Sequence, residues 1–148
     1  MIDIYIKRLE HSKDLPLPKF QTDGAAACDL FAAISEPIIL KAGEHKIIPT
    51  GFAMALPLGY EAQVRPRSGL AAKSAITVLN SPGTIDSDYR GEVGVILINL
   101  GTQDFTIEPQ SRIAQMLVAP CLKWQWVETD DLEATQRGDG GFGSTGSR

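Results

Sequence analysis

A chain of 148 residues fits one domain and hardly two. Hydrophobic residues make up 43% and charged residues 22%, the balance of an ordinary globular protein, which sets aside disorder, collagen and coiled coil. With 14 Lys+Arg against 18 Asp+Glu the net charge is −4, which argues against coating nucleic acid or an anionic membrane but leaves room for a small anion held by local arginines.

Met1–Arg8 alternates Ile2, Ile4 and Ile6 with Asp3, Tyr5 and Lys7, the period of a half-buried strand, and carries no secretory signal pattern. Gly24–Asp29 (GAAACD) reads as a loop entering a strand. Further strands are expected over Pro37–Leu40, His45–Pro49, Gly51–Leu56 and Tyr60–Arg65. Ser68–Ser74 (SGLAAKS) alone looks helical. Beyond it the strand candidates are Ile76–Asn80, Val93–Leu100, Phe105–Glu108, Ile113–Ala119 and Cys121–Val127. Turn chemistry divides them at Lys41-Ala42-Gly43, Pro57-Leu58-Gly59, Ser81-Pro82-Gly83, Leu100-Gly101-Thr102 and Glu108-Pro109-Gln110. Many short strands with almost no helix predict an all-β sandwich or barrel. Cys28 and Cys121 are too few for a disulfide framework or a four-ligand zinc site. No apolar run approaches the roughly 20 residues of a membrane span. A soluble, reduced, cytoplasmic protein is expected.

The chain closes on Arg137–Arg148 (RGDGGFGSTGSR), with five glycines in twelve positions. A floppy tail is the plainer reading. The functional reading is a phosphate-binding flap, in which backbone N–H groups converge on an anion and Arg137, Ser144 and Thr145 add donors. Phe142 suits stacking on a flat ligand. A P-loop fails, because Ser147 stands where lysine is required and no helix comes after it.

Two inner segments carry chemistry. In Pro66–Lys73, Arg67 and Ser68 stand before a short helix, where N–H groups and a guanidinium would suit phosphate; the alternative is that Ser68 merely caps the helix. Asn80–Gly91 (NSPGTIDSDYRG) is either an ordinary long hairpin or a site. Asp86 follows apolar Ile85, where burial could tune it to activate water, and Tyr89 adds a flat ring. A divalent-cation site from Asp86 and Asp88 lacks further ligands nearby. Ser111–Gln115 reads as a half-exposed strand. His11 and His45 have no partner at recognisable spacing and are expected at the surface. Trp124 and Trp126 read as one strand face, packed in the core or against another subunit.

These segments in this order resemble the homotrimeric, all-β deoxyuridine triphosphatase (dUTPase) family. The five stretches are GAAACDL (Gly24–Leu30), PRSGLAAK (Pro66–Lys73), NSPGTIDSDYRGEVG (Asn80–Gly94), SRIAQM (Ser111–Met116) and RGDGGFGSTG (Arg137–Gly146). The resemblance implies a jelly-roll-like barrel over residues 1–136 with a flexible flap at 137–148. It implies Mg²⁺-dependent hydrolysis of dUTP to dUMP and pyrophosphate, which keeps uracil out of DNA and supplies dUMP for dTTP synthesis.

Carried over residue by residue, the resemblance makes Asp86 the base that activates water. Tyr89 would lie against deoxyribose and exclude a 2′-hydroxyl. Asn80 with the backbone around Thr84, Ile85 and Gly94 would read uracil. Arg67, Ser68, Gly69 and Gln115 would hold phosphates from a neighbouring chain, and Asp29 would support the water shell of a magnesium ion held by the triphosphate. Arg137, Phe142, Gly143, Ser144 and Thr145 would close over the nucleotide. Cys28, Thr84 and Gln110-Ser111 depart from the residues common at those positions, which touches local packing rather than chemistry. The alternatives are a dCTP deaminase, which shares the fold, and a catalytically silent nucleotide-binding trimer.

Overall fold

Strand β8 (Glu92–Asn99) shows how the sequence makes this fold: Val93, Val95, Leu97 and Asn99 are buried and the residues between them are not. That period of two sets one face of an antiparallel sheet against a core. The computed structural model describes residues 2–141. In chain order the other elements are β1 (Tyr5–Arg8), a 3-10 turn (Glu10–Ser12), β2 (Cys28–Phe31), β3 (Ile38–Leu40), β4 (His45–Ala55), β5 (Tyr60–Arg65), α1 (Ser68–Ser74), β6 (Ile76–Val78), β7 (Gly83–Ile85), β9 (Phe105–Ile107) and β10 (Arg112–Pro120). The strands form two four-stranded sheets, β1-β4-β8-β6 and β2-β10-β5-β7, and a small β3-β9 pair, with antiparallel pairing throughout. Ile48, Phe52, Val95 and Leu97 from the first sheet meet Leu30, Ala62, Val64 and Ile113 from the second in one core. The expected all-β architecture with one short helix is what the chain adopts.

Several boundaries move for physical reasons. The candidates at 45–49 and 51–56 are one strand, β4, because Thr50 and Gly51 form a bulge rather than a break. The four steps from Pro49 to Ala53 lie opposite only two from Gly94 to Glu92. Gly51 takes φ +77°, and a Cβ there would overlap the Ser12 side chain. Buried Thr50 donates its hydroxyl to Val93 O at 2.5 Å, and the Ser12 hydroxyl donates to Gly51 O. Buried Asn99 donates to Leu40 O and Gln103 O and accepts from Gly101 N–H, so it ties the end of β3 to the β8–β9 loop.

The expected strand at residues 121–127 does not form. After Pro120, Cys121 N–H bonds to Gly59 O, and among the described residues no neighbouring strand remains to pair with segment 122–127. Leu122, Trp124, Trp126 and Val127 are all exposed. Packing of the two tryptophans in this chain's core is therefore ruled out; they rest edge-on against each other, with centroids 4.6 Å apart. Strand propensity without a partner edge makes no sheet. Among the described residues, the hydrogen bonds of segment 122–141 stay within it, including Arg137 Nε to Gly140 O at 2.8 Å.

Strand β7 is the element that the pattern hid. β6 and β8 pair with each other in the first sheet, yet the link between them crosses over and lends β7 to β5 in the second. Residues Asp86–Tyr89 thus turn at the return between two sheets.

Candidate active site

One cluster gathers where β2, β10 and the β5–α1 junction meet. Gln115 lies opposite Asp29 on one side and Arg65 on the other. Its amide donates to Pro66 O at 2.9 Å and ties the residues ahead of α1 to β10. The Asp29 carboxylate forms an ion pair with Arg67 Nε at 3.2 Å and accepts from Arg112 Nη1 at 3.1 Å, and Arg67 also donates to Arg112 O. Two guanidiniums on one carboxylate leave local positive charge in a protein of net negative charge, which suits an anion. Ser68 and Gly69 stand exposed at the start of α1. The capping position is Arg67, in extended conformation and with no side-chain cap, so Ser68 is not spent on capping. Arg112 was not expected here. Its signal in the sequence is its place in the same Ser111–Met116 stretch as Gln115.

Beside Asp29, burial and then the Asp29 charge push the Cys28 thiol up. The thiol stays protonated at neutral pH and is no nucleophile.

The second cluster is a cleft of about 200 Å³ lined by Thr84, Ile85, Asp86, Tyr89, Glu92, Val93 and Gly94. Asp86 O accepts from Tyr89 N–H at 3.2 Å, closing a turn, and Arg90 donates to Ser87 O and Tyr89 O. Asp86 itself is exposed, so the expected burial beside Ile85 is not found within one chain. The side chain sits past the end of β7, where the strand no longer has a partner to cover it. Asn80 packs beside Gly83 at the entry to β7. Gly94, opposite Pro49, leaves its backbone open on the cleft. The Tyr89 hydroxyl donates to Glu92 O at 3.0 Å, and the ring covers Gly91 so closely that any Cβ there would overlap it.

His11 is at the surface as expected, but it has a partner: Nε2 lies 2.9 Å from Glu92 Oε1. The two are 81 positions apart, beyond any spacing rule. Phe142, Gly143, Ser144 and Thr145 lie outside the described residues.

The two clusters do not meet in one chain. Ile85 pairs with Ala62, which sets Asp86 near the level of Glu61. From there to Arg65, four strand steps cover about 13 Å, and Arg67 lies beyond. A wider cavity of about 410 Å³, lined by Ile4, Phe52, Met54, Met116 and Val118, is apolar and offers no grouped donors for an anion. Chemistry rather than volume selects the site.

The dUTPase family model matches residues 13–146. The deoxyuridine 5′-triphosphate nucleotidohydrolase of Methylocella silvestris is 57% identical over 148 residues, covering 99% of this chain and 92% of that protein. The protein of the same name from Caulobacter vibrioides is 57% identical over 145 residues, covering 97% and 94%. A dUTPase of Staphylococcus bacteriophage 80alpha, solved with dUPNHPP, is 27% identical, with a TM-score of 0.84 over 99% of each chain. Five stretches in this order, four of them gathered into the two clusters, and relatives this similar along nearly the whole chain place it in the dUTPase family.

Proposed function

We propose a division of labour between the two clusters for the reaction of this family, the hydrolysis of dUTP to dUMP and pyrophosphate, which this chain carries out. The observation that carries it is the separation along β5 of the exposed Asp86 carboxylate, which lines the cleft, from the arginine-rich group around Asp29. Asp86 takes a proton from water, which attacks the α-phosphorus while pyrophosphate leaves on the opposite side. Asn80 and the main chain near Thr84, Ile85 and Gly94 read the uracil edge, and the Tyr89 ring lies against C2′ and leaves no room for a hydroxyl. Arg67, Ser68, Gly69 and Gln115 hold phosphate oxygens, and Arg112 joins them. Positioning and charge neutralisation suffice for phosphoryl transfer, which asks little covalent chemistry of the protein.

Asp86 and Arg67 must then belong to different subunits. A closed homotrimer with sites shared between chains brings them together, and Trp124 and Trp126 become candidates for packing between subunits. Residues 1–136 form the domain and 137–148 the flap, whose Arg137, Phe142, Gly143, Ser144 and Thr145 close over uracil and the terminal phosphate.

Magnesium fits as the triphosphate's own ion. Among the described residues no group of three or more His, Cys, Asp or Glu forms a cage, and Asp29, already shared by two arginines, would face the ion through water. Bound with the substrate, Mg²⁺ neutralises charge on the phosphate oxygens. The working place is the cytoplasm, without nucleic acid or membrane partners; no helix among the described residues is long and apolar enough to cross a membrane.

Pyrophosphate release from dUTP, with and without EDTA, tests the reading. Release with dUTP that EDTA abolishes is expected. Ammonia from dCTP without pyrophosphate from dUTP would overturn it in favour of the deaminase.

A further inference from the structure

Glu92 joins three parts of the molecule at one residue. Its Oε1 accepts from Gly51 N–H at 2.7 Å and lies 2.9 Å from His11 Nε2. Its main-chain carbonyl accepts from the Tyr89 hydroxyl at 3.0 Å. The side chain is 29% exposed, and the residue forms part of the cleft wall. Gly51 is itself anchored, since its carbonyl accepts from Leu9 N–H and the Ser12 hydroxyl. A continuous path of hydrogen bonds therefore runs from the 3-10 turn through the β4 bulge and Glu92 to the phenol of Tyr89.

The path has a mechanical consequence. Tyr89 is 47% exposed and little is packed over its outer face. Gly91 supports the ring from beneath, and the bond to Glu92 O holds its far end. The height of the ring over the cleft depends on where that carbonyl stands. That carbonyl belongs to the residue at which β8 resumes its pairing with β4, opposite Ala53, and the side chain of the same residue holds the Gly51 N–H of the adjoining bulge. A ring that excludes one hydroxyl must be placed to a fraction of an ångström, and a ring held by its own turn alone would not be.

We propose that Glu92 and His11 are positioning residues for Tyr89, so that discrimination between deoxyribose and ribose is set partly by the N-terminal turn and the β4 bulge. The inference rests on the reading that Tyr89 excludes the 2′-hydroxyl. Neutral histidine can donate from Nε2 as well as the charged form, so the support does not depend on protonation.

The test is a mutant cycle read as the ratio of kcat/KM for UTP to that for dUTP, with Tm measured alongside. Tyr89→Phe and Glu92→Ala should each raise the ratio about fivefold, the weight of one hydrogen bond. The double variant should raise it no further than either alone, because both break the same path. Glu92→Gln, which keeps the acceptor oxygen, should restore the native ratio. His11→Ala, at the surface, should raise it less, and it decides the matter with Tyr89→Phe if Glu92→Ala does not fold. Tyr89→Ala is the reference. If it raises the ratio while Tyr89→Phe, Glu92→Ala and His11→Ala leave it native, with only Tm lowered, positioning is refuted and the Tyr89 reading stands. Additive effects of Tyr89→Phe and Glu92→Ala would likewise refute the shared path. A native ratio in folded Tyr89→Ala overturns both readings.

Discussion

Asp86 stands on a turn of backbone hydrogen bonds and is exposed, whereas Asp29 is committed to two arginines. Of these two acids only Asp86 has an uncommitted carboxylate to take a proton from water. Asp86→Asn preserves size and turn geometry and removes the base. Turnover of dUTP should fall on the order of 10²–10⁴-fold while KM stays within a few-fold. Steady-state kinetics check this, and near-native turnover would remove Asp86 from its role. Asp86, Tyr89 and Arg67 could be proposed from the sequence because each lies in a compact stretch of unusual polar composition. Glu92 and Arg112 were not, since each matters through a partner that the fold brings from far along the chain.

The elements show the same division. Ser68–Ser74 is helical as its sequence suggests, and it ends at Ala75 in left-handed conformation with φ 53°, its N–H bonded back to Ala71 O. The β4 bulge is different. Nothing in His45–Ala55 read alone separates a bulge from a break, and the Ser12 side chain and the Glu92 carboxylate decide it. Gly51→Ala places a Cβ at positive φ and against Ser12. We expect a loss of about 2–4 kcal/mol in urea unfolding, from backbone strain together with overpacking. A loss below about 0.5 kcal/mol would mean that the bulge relaxes without cost.

At the scale of the whole molecule, the proposed division of labour separates Asp86 from Arg67 along β5 and so assigns each chain half a site. Shared sites predict complementation. Two inactive proteins, Asp86→Asn and a chain ending at Gln136, are unfolded and refolded together. In a random equimolar mixture about a quarter of sites would pair an intact Asp86 with an intact tail from another chain. Pyrophosphate release should then rise well above either parent alone. Mixed trimers as inactive as the parents would place hairpin and tail within one chain.

The short strand-like runs, the turn residues between them and the five ordered stretches were enough to determine an all-β chain, the helix Ser68–Ser74 and membership in the dUTPase family, although β1, expected half-buried from its period of two, is exposed at all four positions. Those features are local: each is written in residues a few positions apart, where side-chain direction and turn chemistry act. Three matters were decided only by tertiary structure. β7 left the hairpin that encloses it because β5 offered an open edge, while residues 122–127, with equal strand character, joined no edge among the described residues. Glu92 met His11 and Gly51 through chain segments joined only by folding. In each case the outcome depended on which hydrogen-bonding edge or charge lay opposite, and no local pattern records what lies across a sheet.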